Sequence, residues 1–87
     1  MSKLIHEIPK NAREVVRFSL STFKGKHYLD VRTFITPENG GEMLPTKKGL
    51  TLAVELYPTF KQALAEAERV MVEEGVLDAE DLEAPAF

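Results

Sequence analysis

Phe23-Lys24-Gly25-Lys26 sets two cations around a glycine and beside an aromatic ring. Tyr28-Leu29-Asp30-Val31-Arg32 follows, and then Gly41-Glu42-Met43-Leu44-Pro45-Thr46-Lys47-Lys48-Gly49-Leu50. Cationic side chains can track phosphates, and aromatic faces can stack on unpaired bases. Phe23, Lys24, Lys26, Arg32, Lys47 and Lys48 are therefore the candidate contacts to single-stranded nucleic acid. DNA and RNA both offer phosphates and stackable bases, so these residue types admit either. The plainer alternative is a structural hairpin whose lysines protect a sheet edge from aggregation.

Other chemistries find less support. His27 and Asp30 lie three apart on one strand pattern, so they point to opposite faces and form no dyad. No glycine-rich phosphate loop precedes a helix, and no carboxylate cluster in the basic half could hold a nuclease's metal ions. With two histidines and no cysteine, neither a zinc site nor a disulfide is expected. The residues thus point to a binding protein with no catalytic residue, metal or cofactor.

The net charge of −3 conceals a division. Residues 1–52 hold nine basic and five acidic side chains, a net +4, whereas residues 53–87 hold two basic and nine acidic, a net −7. An acidic whole is therefore compatible with a basic binding half. No apolar run approaches the roughly 20 residues of a membrane span. The start of the chain lacks a signal-peptide pattern, so a cytoplasmic setting without membrane contact is expected.

These candidates need strands to carry them. Residues 1–12 read as an N-terminal arm, in which Leu4, Ile5 and Ile8 could make a short strand and Pro9 interrupts. From Glu14, Val16, Phe18 and Leu20 alternate with Val15, Arg17 and Ser19, the period of a half-buried strand. Gly25 supplies the turn. A second strand over about 26–35 puts Leu29 and Val31 on the core side and Tyr28, Asp30, Arg32 and Phe34 on the other; Asp30 there looks placed to hold Arg32. Thr36-Pro37-Glu38-Asn39-Gly40-Gly41 is a loop. A third strand is expected at about 42–47, edge or bulged because of Pro45, and a short fourth at Leu50-Thr51-Leu52.

A helix over about 55–74 follows, with Tyr57, Phe60, Ala63, Leu64, Ala67, Val70 and Met71 on one stripe. Pro58 must sit in its first turn, and Gly75 ends it. The stripe is long for so small a sheet, which favours burial against a second copy. The binding domain thus spans 13–75, and residues 76–87 read as an acidic, disordered tail ending in Phe87.

The three blocks together resemble the positive cofactor four family of single-stranded-DNA-binding transcriptional coactivators. Its members carry Phe-Lys-Gly-Lys, an apolar-Asp-apolar-Arg strand, and Gly-Glu-Met-x-Pro before a basic pair and glycine, in that order. The resemblance covers about 14–71. It implies an α+β fold: a curved four-stranded antiparallel sheet followed by one C-terminal α-helix, assembled as a homodimer. It also implies that Phe23 contacts bases, that Lys24, Lys26, Arg32 and Lys48 contact the backbone, and that Lys47 replaces a family basic residue. Where the family often has an aromatic pair closing the second strand, this chain has Phe34-Ile35, so the stacking platform is lost or moved to Phe34. Ser21 stands where the family's best-known member is basic, the loop after Ile35 is one residue longer, and Ala53-Val54 replaces an Asn-Pro start to the helix.

The expected function is single-stranded DNA binding with little sequence preference, supporting transcription, replication or repair. A compact bacterial or phage-type member fits best, acting in the cytoplasm near the nucleoid. The competing reading is a dimeric protein-interaction adaptor, or an RNA-binding module, that uses the same basic sheet. The tail resembles the acidic, Phe-ended tails of bacterial and phage single-stranded-DNA-binding proteins. That makes Phe87 a candidate protein-partner anchor; screening of the basic sheet and plain solubilisation are the other roles open to the tail.

Overall fold

A computed structural model describes residues 2–83. The chain divides into two compact units, the first ending at Glu55 and the second beginning at Leu56.

The first unit is an open antiparallel sheet. Its strands are β1 (Ser2–Pro9), β2 (Glu14–Phe23), β3 (Lys26–Ile35) and β4 (Leu44–Ala53), hydrogen-bonded in chain order. Four strands were expected and four are present, but their make-up differs. The presumed arm is an eight-residue strand, β1, paired with β2 from Ser2↔Ser21 to Pro9↔Val15. A bulge between Leu4 and His6 shifts its register, which is why its apolar residues show no clean alternation. The two short strands expected around Pro45 and Leu50 are one ten-residue strand, β4, irregular where it faces the step from Arg32 to Phe34.

Local chemistry sets the connections. Before β2, the Asn11 side-chain oxygen accepts from the backbone N–H of Arg13 (3.0 Å) and of Glu14 (2.9 Å), closing a tight Asx turn. Asn11 Nδ2 donates to Glu14 Oε1 (2.7 Å) and holds that carboxyl below its ordinary range. Between β2 and β3 the turn is two residues, Lys24 at φ 51° and Gly25 at φ 78°, with Phe23 paired to Lys26. Positive φ at both positions is the mark of a type I′ hairpin turn. The loop after β3 is tied to β2, since Thr36 N–H donates to the Arg13 carbonyl (2.8 Å) and Arg13 Nη2 to the Thr36 carbonyl (3.0 Å).

Side-chain alternation gives the sheet two unlike faces. Val16, Phe18 and Leu20 of β2 pair with Thr33, Val31 and Leu29 of β3, and Leu50 and Leu52 of β4 continue the same rows. This aliphatic face also carries the edge contact between His6 and Phe18 (6.3 Å between ring centroids). The opposite face carries Arg17, Phe23, Lys26, Tyr28, Asp30, Arg32 and Phe34. No hydrophobic side chain is fully buried among the described residues of either unit, and Thr33 is the one buried polar residue among them.

The second unit is α1 (Tyr57–Glu73), with Pro58 in its first turn as the sequence requires. Arg69 pairs with Glu66 one turn earlier and with Glu73 one turn later (2.6 Å). The helix stops at Gly75 (φ 75°), where Val76 N–H donates to the Met71 carbonyl (3.0 Å). Disorder was expected from residue 76. Within this stretch, Asp78 accepts from Glu80 N–H (3.0 Å) and caps a 3-10 turn over Ala79–Leu82. The partner anchor read at Phe87 lies outside the described residues.

Candidate nucleic-acid interface

The cationic face is built in rows across the strands. At the hairpin end, Phe23 pairs with Lys26 and is 63 % exposed. The Lys24 ammonium lies 5.4 Å from the centre of the Phe23 ring. Lys24, a non-glycine residue, is held in the left-handed region, where an L-residue pays a steric penalty of about 1–2 kcal/mol. A cation kept at that position, next to an exposed ring, breaks a local rule in the way binding sites do. Lys26 is also exposed, so Phe23, Lys24 and Lys26 form one cluster at the tip.

Further along β3, Arg32 lies directly opposite Arg17 of β2. Two guanidinium groups side by side would repel, and each is matched by its own acid. Arg17 Nε donates to Glu7 Oε2 of β1 (2.7 Å). Arg32 makes a two-point pair with Asp30, Nε to Oδ2 and Nη2 to Oδ1, both at 3.0 Å. Its Nη1 donates to the Thr46 carbonyl (2.9 Å), and Thr51 Oγ1 donates to Asp30 Oδ1 (2.6 Å). Burial pushes the Asp30 carboxyl up, but the hydrogen bonds from Arg32 and Thr51 and the Arg32 charge outweigh it and leave it below the ordinary range. The Asp30 hydrogen bond raises Arg32 further, against a smaller opposing effect of burial. Arg32 therefore joins β3 to β4 as well as adding positive charge. The expectation that Asp30 holds Arg32 is met, with Thr46 and Thr51 as helpers whose hydroxyl and carbonyl roles leave no mark in sequence.

Gly49 faces Arg32 in this row. A Cβ there would sit 2.7 Å from the Arg32 Cα and collide with the Val31 carbonyl. Only a glycine lets β4 approach this closely. Just before it, Thr46 Oγ1 donates to the Thr33 carbonyl (2.8 Å) and accepts from Lys48 N–H (3.2 Å), which shapes the irregular step carrying Lys47 and Lys48. Both lysines are exposed.

Phe34 closes the face. It pairs with Val15 and Pro45, and the Arg17 guanidinium carbon lies over its ring, 4.7 Å from the centre. The seven candidates thus form two groups. Phe23, Lys24 and Lys26 are at the hairpin tip. Arg32, Phe34, Lys47 and Lys48 are at the far end of β3 and the matching part of β4. Lys26 and Phe34 are eight residues apart on one strand, about 26 Å at roughly 3.3 Å per residue. Arg17 joins the second group and was not among the candidates. Its outward phase on β2, between Val16 and Phe18, could be read from the sequence, but its partners could not. His27 belongs to the other face, where its Nδ1 shares a 3.0 Å hydrogen bond with Thr22 Oγ1.

The family model for transcriptional coactivator p15 (PC4) matches residues 10–63. A crystal structure of a PC4 homologue from Burkholderia pseudomallei is 29 % identical, with a TM-score of 0.69 over 78 % of this chain and 98 % of that one. The bacteriophage T5 homologue of PC4, implicated in recombination-dependent DNA replication, is 29 % identical, with a TM-score of 0.55 over 97 % of this chain and 98 % of its own. A Caenorhabditis elegans protein named for an RNA polymerase II coactivator role is 28 % identical over 51 residues, which are 59 % of this chain. The match spans about two fifths of that relative's length, 41 %. With most of the sheet and the start of the helix inside the match, this chain belongs to the PC4 family of DNA-binding transcriptional coactivators.

Proposed function

We propose that this protein binds single-stranded DNA with little sequence preference and, as a homodimer, holds unpaired strands during transcription, replication or repair. The observation that carries the reading is the division of the sheet into an aliphatic face and a face on which cations alternate with rings from Phe23 to Phe34. Phosphates would be met by Lys24, Lys26, Arg32, Lys47 and Lys48, and bases by Phe23 at one end of the face and by the surface around Phe34 at the other. Phosphate contacts and stacking on base faces tolerate any sequence, which suits a strand-tracking role. The phage T5 homologue's link to recombination-dependent replication supplies one setting in which unpaired strands arise.

Fluorescence anisotropy with a labelled oligo-dT of about 20 nucleotides tests this, titrated over a range of salt, with duplex DNA and RNA as competitors. If four cations meet phosphates, the logarithmic salt slope is about −3. Phe23→Ala weakens binding by about tenfold, in line with roughly 1–3 kcal/mol per stacked base. Absence of binding at low salt sinks the reading; stronger competition by RNA than by DNA replaces DNA with RNA as the ligand.

A further inference from the structure

Arg17 is held more firmly than a surface cation needs to be. Its Nε is fixed by Glu7 Oε2 at 2.7 Å, its Nη2 donates to Met43 Sδ at 3.7 Å, and its guanidinium carbon lies over the Phe34 ring, 4.7 Å from the centre. These holders come from β1, from the loop before β4 and from β3, so three separate segments fix one guanidinium. Nη1 has no protein partner among the described residues, and the side chain keeps 27 % of its exposure. The result is a guanidinium fixed beside an aromatic ring and still partly exposed, with Nη1 unpaired among the described residues.

We propose that Arg17 and Phe34 form a composite base-stacking subsite, in which an unpaired nucleobase lies on the Arg17 plane and Phe34 supports that plane from beneath. A guanidinium is flat and weakly hydrated and stacks on π systems, so it can serve as a platform where a lysine cannot. Pre-fixing the side chain also lowers the entropy lost on binding. Lys47 and Lys48 on the neighbouring strand are placed to take the phosphates of the same nucleotide stretch, while Phe23 at the hairpin tip takes a second base. The ring lost at Ile35 is thereby replaced by a two-layer surface, one layer from β2 and one from β3. The subsite rests on the reading of this face as the single-strand surface.

Two probes separate stacking from charge: oligo-dT, and an abasic strand of equal length that presents phosphates without bases. Arg17→Lys keeps the charge and removes the plane. It is expected to weaken oligo-dT binding by about tenfold, with an unchanged salt slope and unchanged affinity for the abasic strand. Phe34→Leu keeps an apolar filler under Arg17 and should show the same selective loss. Should Arg17→Lys bind both strands as the parent does, or lose both equally, the stacking subsite is overturned while single-strand binding stands. Should the parent protein itself bind neither strand, the functional reading fails, and the subsite with it.

Discussion

Asparagine is the residue to expect where Lys24 sits, because Asn-Gly suits a two-residue type I′ turn and lysine does not. Lys24 takes a φ of 51° there, with its ammonium 5.4 Å from the centre of the Phe23 ring. Lys24→Asn should therefore stabilise the fold by about 0.5–1 kcal/mol. The same change should flatten the salt slope of DNA binding by about 0.7. Denaturant midpoints and the salt titration would show the two effects moving in opposite directions; a loss of stability would mean that the turn is not strained at Lys24. The candidates legible in sequence were those within a few neighbours of a telling residue: the hairpin around Gly25, and Asp30 two residues from Arg32. Arg17 was not legible as a site, since its partners are 10, 17 and 26 positions away in Glu7, Phe34 and Met43. Local spacing carries no information about contacts made across three strands.

Among the elements, the helix, β2 and β3 could be read directly, because each keeps an uninterrupted period that burial on one side imposes. The edge strands could not. β1 hides its period behind the bulge at Ile5, and β4 contains a proline, a lysine pair and a glycine that together imitate a break. Pro45 is tolerated because β4 is an edge strand, with one side free of hydrogen-bonding partners in the sheet. Gly49 reads as a turn in sequence and works instead as a close-approach position inside a strand. Gly49→Ala is expected to push β4 from β3, at a cost of about 1–3 kcal/mol typical of overpacking. Because Arg32 reaches across at this point to Thr46 and Thr51, the variant should also weaken DNA binding. Chemical denaturation measures the first effect, and a parent-like midpoint would show that the strands have room to spare.

At the scale of the molecule, the sheet carries a mainly apolar face and the helix a long apolar stripe, and no hydrophobic side chain of either unit is completely buried among the described residues. The proposed homodimer would bury these apolar surfaces, and so the unfolding midpoint should rise with protein concentration. A tenfold dilution series followed by thermal melting checks this; a midpoint independent of concentration would identify a self-sufficient monomer. β1 also bears on where the functional unit of this chain begins. The segment shared with the family starts at residue 10, after β1 has ended. A fragment cut to that boundary would keep Phe23, Lys24, Lys26 and Arg32, yet it would lack the Glu7 carboxylate that steadies Arg17 and would leave the long β2 backbone unpaired along one side. Such a piece would look like a complete family member on paper and behave as a sticky, partly disarmed one in solution. Residues 2–9 lie outside the family match, yet they supply β1 and the Glu7 carboxylate that pairs with Arg17.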